Sequence, residues 1–209
     1  MKDFDKTALN IATYNDDRIV ADATADSEDY LPSYYETEMF KYFNSRIEGK
    51  DILDLGSGPG ILAKYYSDLG YNVKGIDFSE KMVESAKKRC EKCQFITKNI
   101  LELSPDDGQF DGVVAMHVLQ YVEGGEIVDL FKRVRDVLKE KGQFLLIFTN
   151  TCHPKSGINE TSVGLQEYWL HHTVEEIAPL FAKAGLKIVK FEEPQPENEE
   201  SFFFVAERA

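Results

Sequence analysis

The chain has 209 residues, 43% of them hydrophobic, and its 24 lysines and arginines against 37 aspartates and glutamates give a net charge of −13. A chain of this length is expected to form one domain with a buried core of its own. Because the negative charge repels phosphate backbones and no run of 18 apolar residues occurs, we expect neither a nucleic-acid partner nor a membrane-spanning segment.

The N-terminal segment, residues 1–30, is polar and rich in aspartate, and it has no apolar stretch of the kind found in signal peptides. Its composition fits either a flexible arm or a lid. From Ser33 onward, apolar residues recur at helical spacing up to Ile47. This predicts a helix that ends before Gly49, within a main domain over 31–209.

From residue 51 the chain alternates between short apolar runs and amphipathic stretches. In chain order these predict strand 51–55, helix 61–70, strand 71–77, helix 78–92 with Ser79 as N-cap, strand 93–97, a turn at 104–108, strand 110–118, a helix along 127–138, and strand 143–149 set off by Gly142. Residues 150–172 show no clear period. The chain ends with a helix at about 177–184 and strands 186–191 and 201–207.

Strands that alternate with helices are typical of a doubly wound, Rossmann-like α/β sheet with helices on both faces. The last two strands are joined by residues 192–200, a connection too short for a crossover helix, so they should be antiparallel. The prediction is a sheet of about seven strands, mostly parallel, with an antiparallel C-terminal strand.

A glycine-rich loop follows the first predicted strand, in the sequence DILDLGSGPG over residues 51–60. In doubly wound sheets, ligands bind at the carboxyl ends of the strands where the strand order reverses. Asp77 ends the second strand, where a carboxylate can accept both hydroxyls of an adenosine ribose; Asp51 and Asp54 are weaker alternatives. Dinucleotide enzymes need a small third residue in G-x-G-x-x-G, and here that position is the bulky Ile61.

The loop resembles the first motif of the class I S-adenosylmethionine-dependent methyltransferases, D/E-x-G-x-G-x-G after a hydrophobic strand. The resemblance includes Asp77 in GIDFSEKM and the element order, from about Tyr14 to the C-terminal strand pair. It looks closest to the small-molecule branch, which includes ubiquinone- and menaquinone-pathway methyltransferases. It implies transfer of a methyl group from S-adenosylmethionine to a small-molecule acceptor, in a cytoplasmic monomer or homodimer with no nucleic-acid or membrane partner.

The resemblance also implies which residues bind the cofactor. They are Tyr14, Asp54, Gly56, Ser57, Gly58, Gly60, Asp77, Phe78, Met82, Asn99, Ile100 and Met116. The loop should hold the methionine end and Asp77 the ribose, with Phe78 and Met82 beside the adenine. Asn99 stands where the family usually has an acidic residue, and an ordinary turn residue is the alternative. Tyr14 resembles the aromatic residue of an N-terminal lid, and a surface tyrosine fits the sequence as well.

Methyl transfer is an in-line displacement that needs a general base only when the attacking group is a weak acid such as a hydroxyl. His117, at the end of the fourth strand, is the best placed histidine and the predicted catalytic residue. An unperturbed pKa near 6.5 would suit proton transfer. His153, His171 and His172 are further candidates in the irregular region, where such folds build a substrate pocket.

The remaining motifs leave several interpretations open. Tyr168 and Trp169 fit either the wall of an apolar substrate pocket or the packing of a loop. The three cysteines, Cys90, Cys93 and Cys152, favour buried thiols in a reducing compartment over disulfides or a zinc site, and no metal is predicted. An NAD-binding Rossmann oxidoreductase and a non-catalytic cofactor-binding protein of the same fold are the alternative functions.

Overall fold

The computed structural model describes residues 5–149, 155–194 and 201–209, without the side chains of residues 26–32. The helices are α1 Lys6–Tyr14, α2 Asp17–Tyr35, α3 Glu38–Arg46, α4 Ile61–Asp68, α5 Glu80–Arg89, α6 Gly124–Val137 and α7 Val174–Lys183. The strands are β1 Asp51–Leu55, β2 Asn72–Asp77, β3 Gln94–Thr97, β4 Phe110–Met116, β5 Leu138–Thr149, β6 Gly157–Glu160, β7 Gln166–Trp169, β8 Leu186–Glu192 and β9 Ser201–Arg208. Short 3₁₀ turns lie at Ile100–Glu102, Pro105–Asp107 and Leu119–Tyr121.

Seven of the strands form one sheet, in the order β3-β2-β1-β4-β5-β9-β8. Neighbouring strands pair in parallel except at β9, which is antiparallel to both β5 and β8. The predicted α/β fold, mostly parallel with an antiparallel C-terminal strand, is therefore confirmed. The strand order reverses between β1 and β4, where a doubly wound sheet opens a crevice for a ligand.

The core lies on both faces of this sheet, because successive side chains of a strand point to opposite sides. In β5, Phe144, Leu146 and Phe148 belong to the cluster that also contains the apolar faces of α6 and α7. Leu145 and Ile147 belong to the opposite cluster, with α3, α4 and α5. The mostly apolar run QFLLIFT, residues 143–149, is therefore buried on both faces of the sheet, as is typical of strands in sheets that helices cover on both sides.

Local capping fixes where the helices start. The hydroxyl of Ser79 accepts the Met82 N–H at 3.1 Å, which confirms the predicted N-cap of α5. Thr173 and Glu176 form a reciprocal capping box at the start of α7. Each such cap contributes about 1 kcal/mol. In the described ranges, no helix is long and apolar enough to cross a membrane.

The predicted single helix from Ser33 is wrong. The helix α2 ends at Tyr35, and α3 begins at Glu38 after Thr37, whose hydroxyl accepts the Phe40 N–H at 3.3 Å. The N-terminal segment, residues 1–30, also contains helices: α1 lies within it, and α2 extends beyond residue 30. Its mostly polar composition hid the helical period from the sequence pattern.

Gly142 does not separate a helix from a strand, because β5 already begins at Leu138. The pairing of β4 with β5 shifts from Phe110–Leu138 to Gly112–Gln143, so the extra residues of β5 bulge. A Cβ at Gly142 would lie 2.9 Å from the Phe110 carbonyl oxygen. Glycine is required here for the close approach of two strands, which a sequence pattern does not reveal.

The region predicted to lack regular structure contains the antiparallel hairpin β6–β7. Its strands have four residues each, too few to establish a period in the sequence. The hairpin is separate from the main sheet, and α1 packs against it through β7. Together, α1 and the hairpin cover one side of the crevice.

Cys90 and Cys93 form a disulfide, so the expectation of free thiols there is wrong. Their Cα atoms lie 5.4 Å apart because the chain turns sharply between the end of α5 and the start of β3. Because two of the three cysteines form a disulfide, the cysteine count no longer indicates a reducing compartment. Cys152 lies outside the described residues.

Candidate active site

The glycine loop between β1 and α4 is tied to the end of β2. The N–H groups of Gly56 and Ser57 both donate to the Ile76 carbonyl, at 2.8 and 3.0 Å. Gly56 has φ +72°, and a Cβ there would lie 2.1 Å from Val118 Cγ1. Gly58 has φ +48°, and a Cβ there would meet nothing within 4 Å. The loop therefore exposes bare backbone to a ligand at Gly58.

Asp77, the last residue of β2, holds the other side of this loop. Its Oδ2 accepts the Gly58 N–H and its Oδ1 the Ser79 N–H, both at 2.9 Å. The side chain is nearly buried and lines the cavity. Burial raises the pKa of Asp77 to about 6, although backbone N–H groups that bind the ionised form lower it. Each oxygen keeps a lone pair for a ligand hydroxyl.

Three of the predicted cofactor residues do not line the cavity. Asp54 lies buried behind the loop, and its Oδ2 has no hydrogen-bond partner. Burial, followed by the negative charge of Asp77, raises the pKa of Asp54 to about 7. Ser57 is buried with its hydroxyl oxygen unpartnered, and Gly60 faces Ala86 of α5. These residues shape the loop from behind.

The other predicted site residues meet around a cavity of about 660 Å³ at the carboxyl ends of β1 to β4. They are Tyr14, Gly56, Gly58, Asp77, Phe78, Met82, Asn99, Ile100, Met116 and His117. Asn99 differs from the expectation in one respect, because its Oδ1 already accepts the Leu101 N–H at 3.0 Å. An amide oxygen has two lone pairs, so one remains for a ligand.

His117 leaves β4 in a left-handed conformation, with φ +51°. Its Nε2 lies 3.4 Å from the Tyr34 hydroxyl, which in turn bonds the Ser201 hydroxyl at 2.8 Å. Burial lowers the pKa of His117 to about 4, so the ring is neutral at neutral pH and is a weaker base than a pKa near 6.5 would make it. Backbone strain in a non-glycine residue is common at functional sites.

His171 and His172, the other histidines that the structure describes, do not line the cavity. His172 is buried, and its Nε2 lies 3.0 Å from the carbonyl oxygens of both Leu119 and Val122. It anchors the 3₁₀ turn after β4. His171 does not line the cavity, and His153 lies outside the described residues. In the described part of the chain, no group of His, Cys, Asp and Glu side chains is arranged to hold a metal ion.

One side of the cavity is covered by α1 and the hairpin β6–β7. Asn10 Nδ2 donates to the Tyr168 carbonyl at 3.0 Å, and the Tyr168 N–H donates to Asn10 Oδ1 at 2.7 Å. The Ser79 hydroxyl donates to the Tyr14 carbonyl at 2.6 Å, which joins the end of α1 to the start of α5. Tyr168 lines the cavity. Trp169 does not line the cavity, and its ring packs against the ring of Tyr121.

Several cavity residues have no counterpart in the sequence prediction, among them Lys6, Asn10, Gln120 and Tyr121. Gln120 and Tyr121 follow closely after the end of β4, and this position in the sequence could have identified them as cavity residues. The hydroxyls of Tyr14 and Tyr121 bond each other and both bond Glu167 of β7. Nothing local in the sequence indicates that Glu167 belongs to the site.

The comparisons with known proteins agree with this geometry. Residues 52–142 match the family model described as a methyltransferase domain. The match covers less than half of the chain, and over this region the chain is similar to methyltransferase domains. The putative methyltransferase YqeM of Bacillus subtilis is 35% identical over 99 residues, which are 45% of this chain and 40% of that protein. A ubiquinone biosynthesis O-methyltransferase of Coxiella burnetii is 33% identical over 88 residues, 39% of this chain and 38% of that protein.

Solved structures share the fold of the chain over its whole length. The DhpI–SAM–HEP complex superposes with a TM-score of 0.78 at 16% identity, with 100% of both chains covered. Magnesium protoporphyrin IX methyltransferase from Synechocystis PCC 6803 gives 0.70 at 17% identity, again over 100% of both. At these identities the likeness shows the fold alone. The chain matches YqeM and the Coxiella protein over no more than 40% of the length of those proteins.

Proposed function

We propose that this protein is an S-adenosylmethionine-dependent methyltransferase that acts on a small-molecule acceptor. The observation that carries the proposal is the Asp77 carboxylate, held by the Gly58 and Ser79 N–H groups inside the cavity at the strand-order reversal. The matches to a methyltransferase domain and to named methyltransferases support the same conclusion.

The residues present fit S-adenosylmethionine. Asp77 offers free lone pairs to the ribose hydroxyls, and the open side of Gly58 leaves room for the methionine part. Phe78 and Met82 supply an apolar wall for the adenine, with Asn99 beside it. When bound, the cofactor supplies a methyl group on a sulfonium, whose leaving group departs uncharged.

The chain itself has to align the acceptor and exclude water, which for well-oriented reactants accounts for about 7–11 kcal/mol of a barrier. α1 and the hairpin cover the cavity for that purpose. His117 is available to accept a proton through its neutral ring, and its low pKa limits this role to acceptors that lose their proton readily.

The two alternative functions predict different ligands or different products. YqeM and the Coxiella protein are named as methyltransferases, which gives no support to an NAD-dependent oxidoreductase. The bulky Ile61, at the third small-residue position of the dinucleotide-binding motif, also argues against that function. A non-catalytic protein of this fold would bind S-adenosylmethionine without producing S-adenosylhomocysteine. A turnover assay across small-molecule acceptors separates it from an enzyme.

The cofactor assignment is tested by thermal-shift titration with S-adenosylmethionine, S-adenosylhomocysteine and NAD. A ligand at ~100 times its Kd adds about 2.7 kcal/mol of stability. We expect both adenosyl compounds to raise the Tm, NAD to leave it unchanged, and Asp77→Ala to abolish the rise.

Asp68→Ala is the matched control, because Asp68 is exposed on α4 and pairs with Lys64 away from the cavity. It should respond to the adenosyl compounds as the wild type does. An unchanged response in Asp77→Ala would exclude Asp77 from the ribose site, and a response to NAD alone would refute the proposed function.

A further inference from the structure

Glu167 is a buried carboxylate that bonds to hydroxyl groups. Its side chain on β7 is 6% exposed, and its Oε2 accepts the hydroxyls of Tyr14 at 2.8 Å and Tyr121 at 3.2 Å. Within the described ranges, no ion pair includes Glu167. Burying a charge without a countercharge is costly, so the site favours a positive group nearby.

The two tyrosines present hydrogen-bond acceptors to the cavity that both of them line. Burial and the neighbouring charge of Glu167 raise the pKa of each well above its usual value, so both stay protonated. Two protons serve the three contacts among Glu167 Oε2 and the two hydroxyls, so both protons are engaged there and neither is left for a ligand. The Tyr121 oxygen also accepts a hydrogen bond from the Gln120 amide nitrogen, so the lone pairs of the Tyr14 oxygen are the ones that suit a ligand that donates hydrogen bonds.

Gln120 adds a further unsatisfied acceptor on the same wall. It lines the cavity and is only 4% exposed. Its side chain is hydrogen-bonded to Tyr121, while its Oε1 has no partner. A buried amide oxygen that is left unpaired is unfavourable, and the N–H group of a ligand would satisfy it.

The charged residues that line the cavity leave an excess of negative charge once the ion pairs are set aside. The two lysines that line it are already paired, Lys6 with Glu123 and Lys98 with Asp107, both at 2.6 Å. Glu102 and Glu126 also line it, and neither takes part in an ion pair in the described part of the chain. The uncompensated charge is negative, so it attracts cations and repels carboxylates and phosphates.

We propose that the methyl acceptor carries an amine, bound as a cation against Tyr14 and Tyr121, with Glu167 behind them and Gln120 beside them. This inference rests on the proposed function, because it names the acceptor class for the same cavity. The amine is a recognition group, and the attacked atom is a separate question. The positive sulfonium of the cofactor is the competing occupant, which the experiment distinguishes.

The test measures binding of a matched probe pair, 2-phenylethylamine and 3-phenylpropionate, by calorimetry with and without saturating S-adenosylhomocysteine, which carries no sulfonium. We expect the amine to bind at least tenfold more tightly than the carboxylate. Glu167→Gln keeps an acceptor for both tyrosines but removes the charge, and it should weaken amine binding about tenfold without changing the Kd of S-adenosylhomocysteine.

Two further variants complete the design. Gln120→Leu should weaken the amine several-fold, whereas Glu84→Gln, at an exposed position on α5, should bind it as the wild type does. Circular dichroism establishes that each variant is folded. Equal or tighter binding of the carboxylate, no amine binding, or an amine Kd unchanged in Glu167→Gln overturns the inference.

Two other outcomes have separate meanings. If Glu167→Gln weakens S-adenosylmethionine but neither S-adenosylhomocysteine nor the amine, the carboxylate serves the sulfonium, and the acceptor proposal is wrong. If the wild type binds no S-adenosylhomocysteine, the proposed function fails, while the amine preference is still decided by the measurements without it.

Discussion

At the scale of single residues, His117 combines a strained backbone with a depressed pKa. A non-glycine residue with φ +51° is uncommon, and the strain costs on the order of 1 kcal/mol. The conformation turns the chain away from β4 at the cavity edge, and burial keeps the ring neutral. A catalytic role for His117 stays a prediction, and the strain provides a way to separate it from a structural role.

His117→Asn tests that role, because asparagine tolerates a positive φ better than most residues. We expect the Tm to change little and kcat to fall at least tenfold, with an unchanged Kd for S-adenosylmethionine. His171→Asn, away from the cavity, should keep full activity. An unchanged kcat in His117→Asn, measured by production of S-adenosylhomocysteine, would exclude His117 from the chemistry.

At the scale of elements, the contact between α1 and β7 decides whether the cavity is covered. Two hydrogen bonds join the Asn10 amide to the backbone of Tyr168, and the Thr13 hydroxyl donates to the Gln166 carbonyl. These bonds connect segments that are more than 150 residues apart in the sequence. A lid composed of residues 1–30 remains a proposal, and this contact is where it can be tested.

Asn10→Ala should loosen the cover without unfolding the domain, since it removes both hydrogen bonds between the Asn10 side chain and the Tyr168 backbone, at a cost of about 1–3 kcal/mol. We expect faster hydrogen exchange at the Tyr168 amide and a several-fold weaker Kd for S-adenosylhomocysteine. Asn159→Ala is the control, because that amide bonds the Gly157 carbonyl within β6. Unaltered exchange at Tyr168 would show that the cover does not depend on Asn10.

At the scale of the whole molecule, the crevice places buried titratable groups under the glycine loop, and they make stability depend on pH. Asp54 has a pKa of about 7 when folded against 3.8 as a free group, so the folded chain binds the extra proton between those values. Its contribution to the free energy of unfolding falls as the pH rises from about 4 to 7. Asp77 acts in the same direction, and His117, with its lowered pKa, in the opposite one.

Asp54→Asn isolates one of these contributions. The amide keeps an acceptor for the Ala63 N–H and removes the buried charge. We expect the variant to gain Tm relative to the wild type as the pH rises from about 4 to 7, by several degrees at the upper end. Asp68→Asn, an exposed control, should show no such trend. A difference in Tm that does not change with pH would contradict the raised pKa of Asp54.

The sequence by itself determined the features that depend on short spacing. The alternation of apolar strands and amphipathic helices specified the doubly wound sheet, and the short link before the last strand specified its antiparallel pairing. The loop at residues 56–60 and Asp77 follow from the same logic, because each comes directly after a strand. Parallel strands bring their carboxyl ends to one edge, so chain position predicts spatial proximity there.

Only the tertiary structure decided the features that join distant segments. Tyr14, Tyr121 and Glu167 come together because α1 and the hairpin fold over the same crevice. The bulge at Gly142 depends on a neighbouring strand in the same way. Periodicity encodes which face of an element is buried, but it does not encode which other element covers that face, because that is decided by packing and hydrogen bonding across the whole chain.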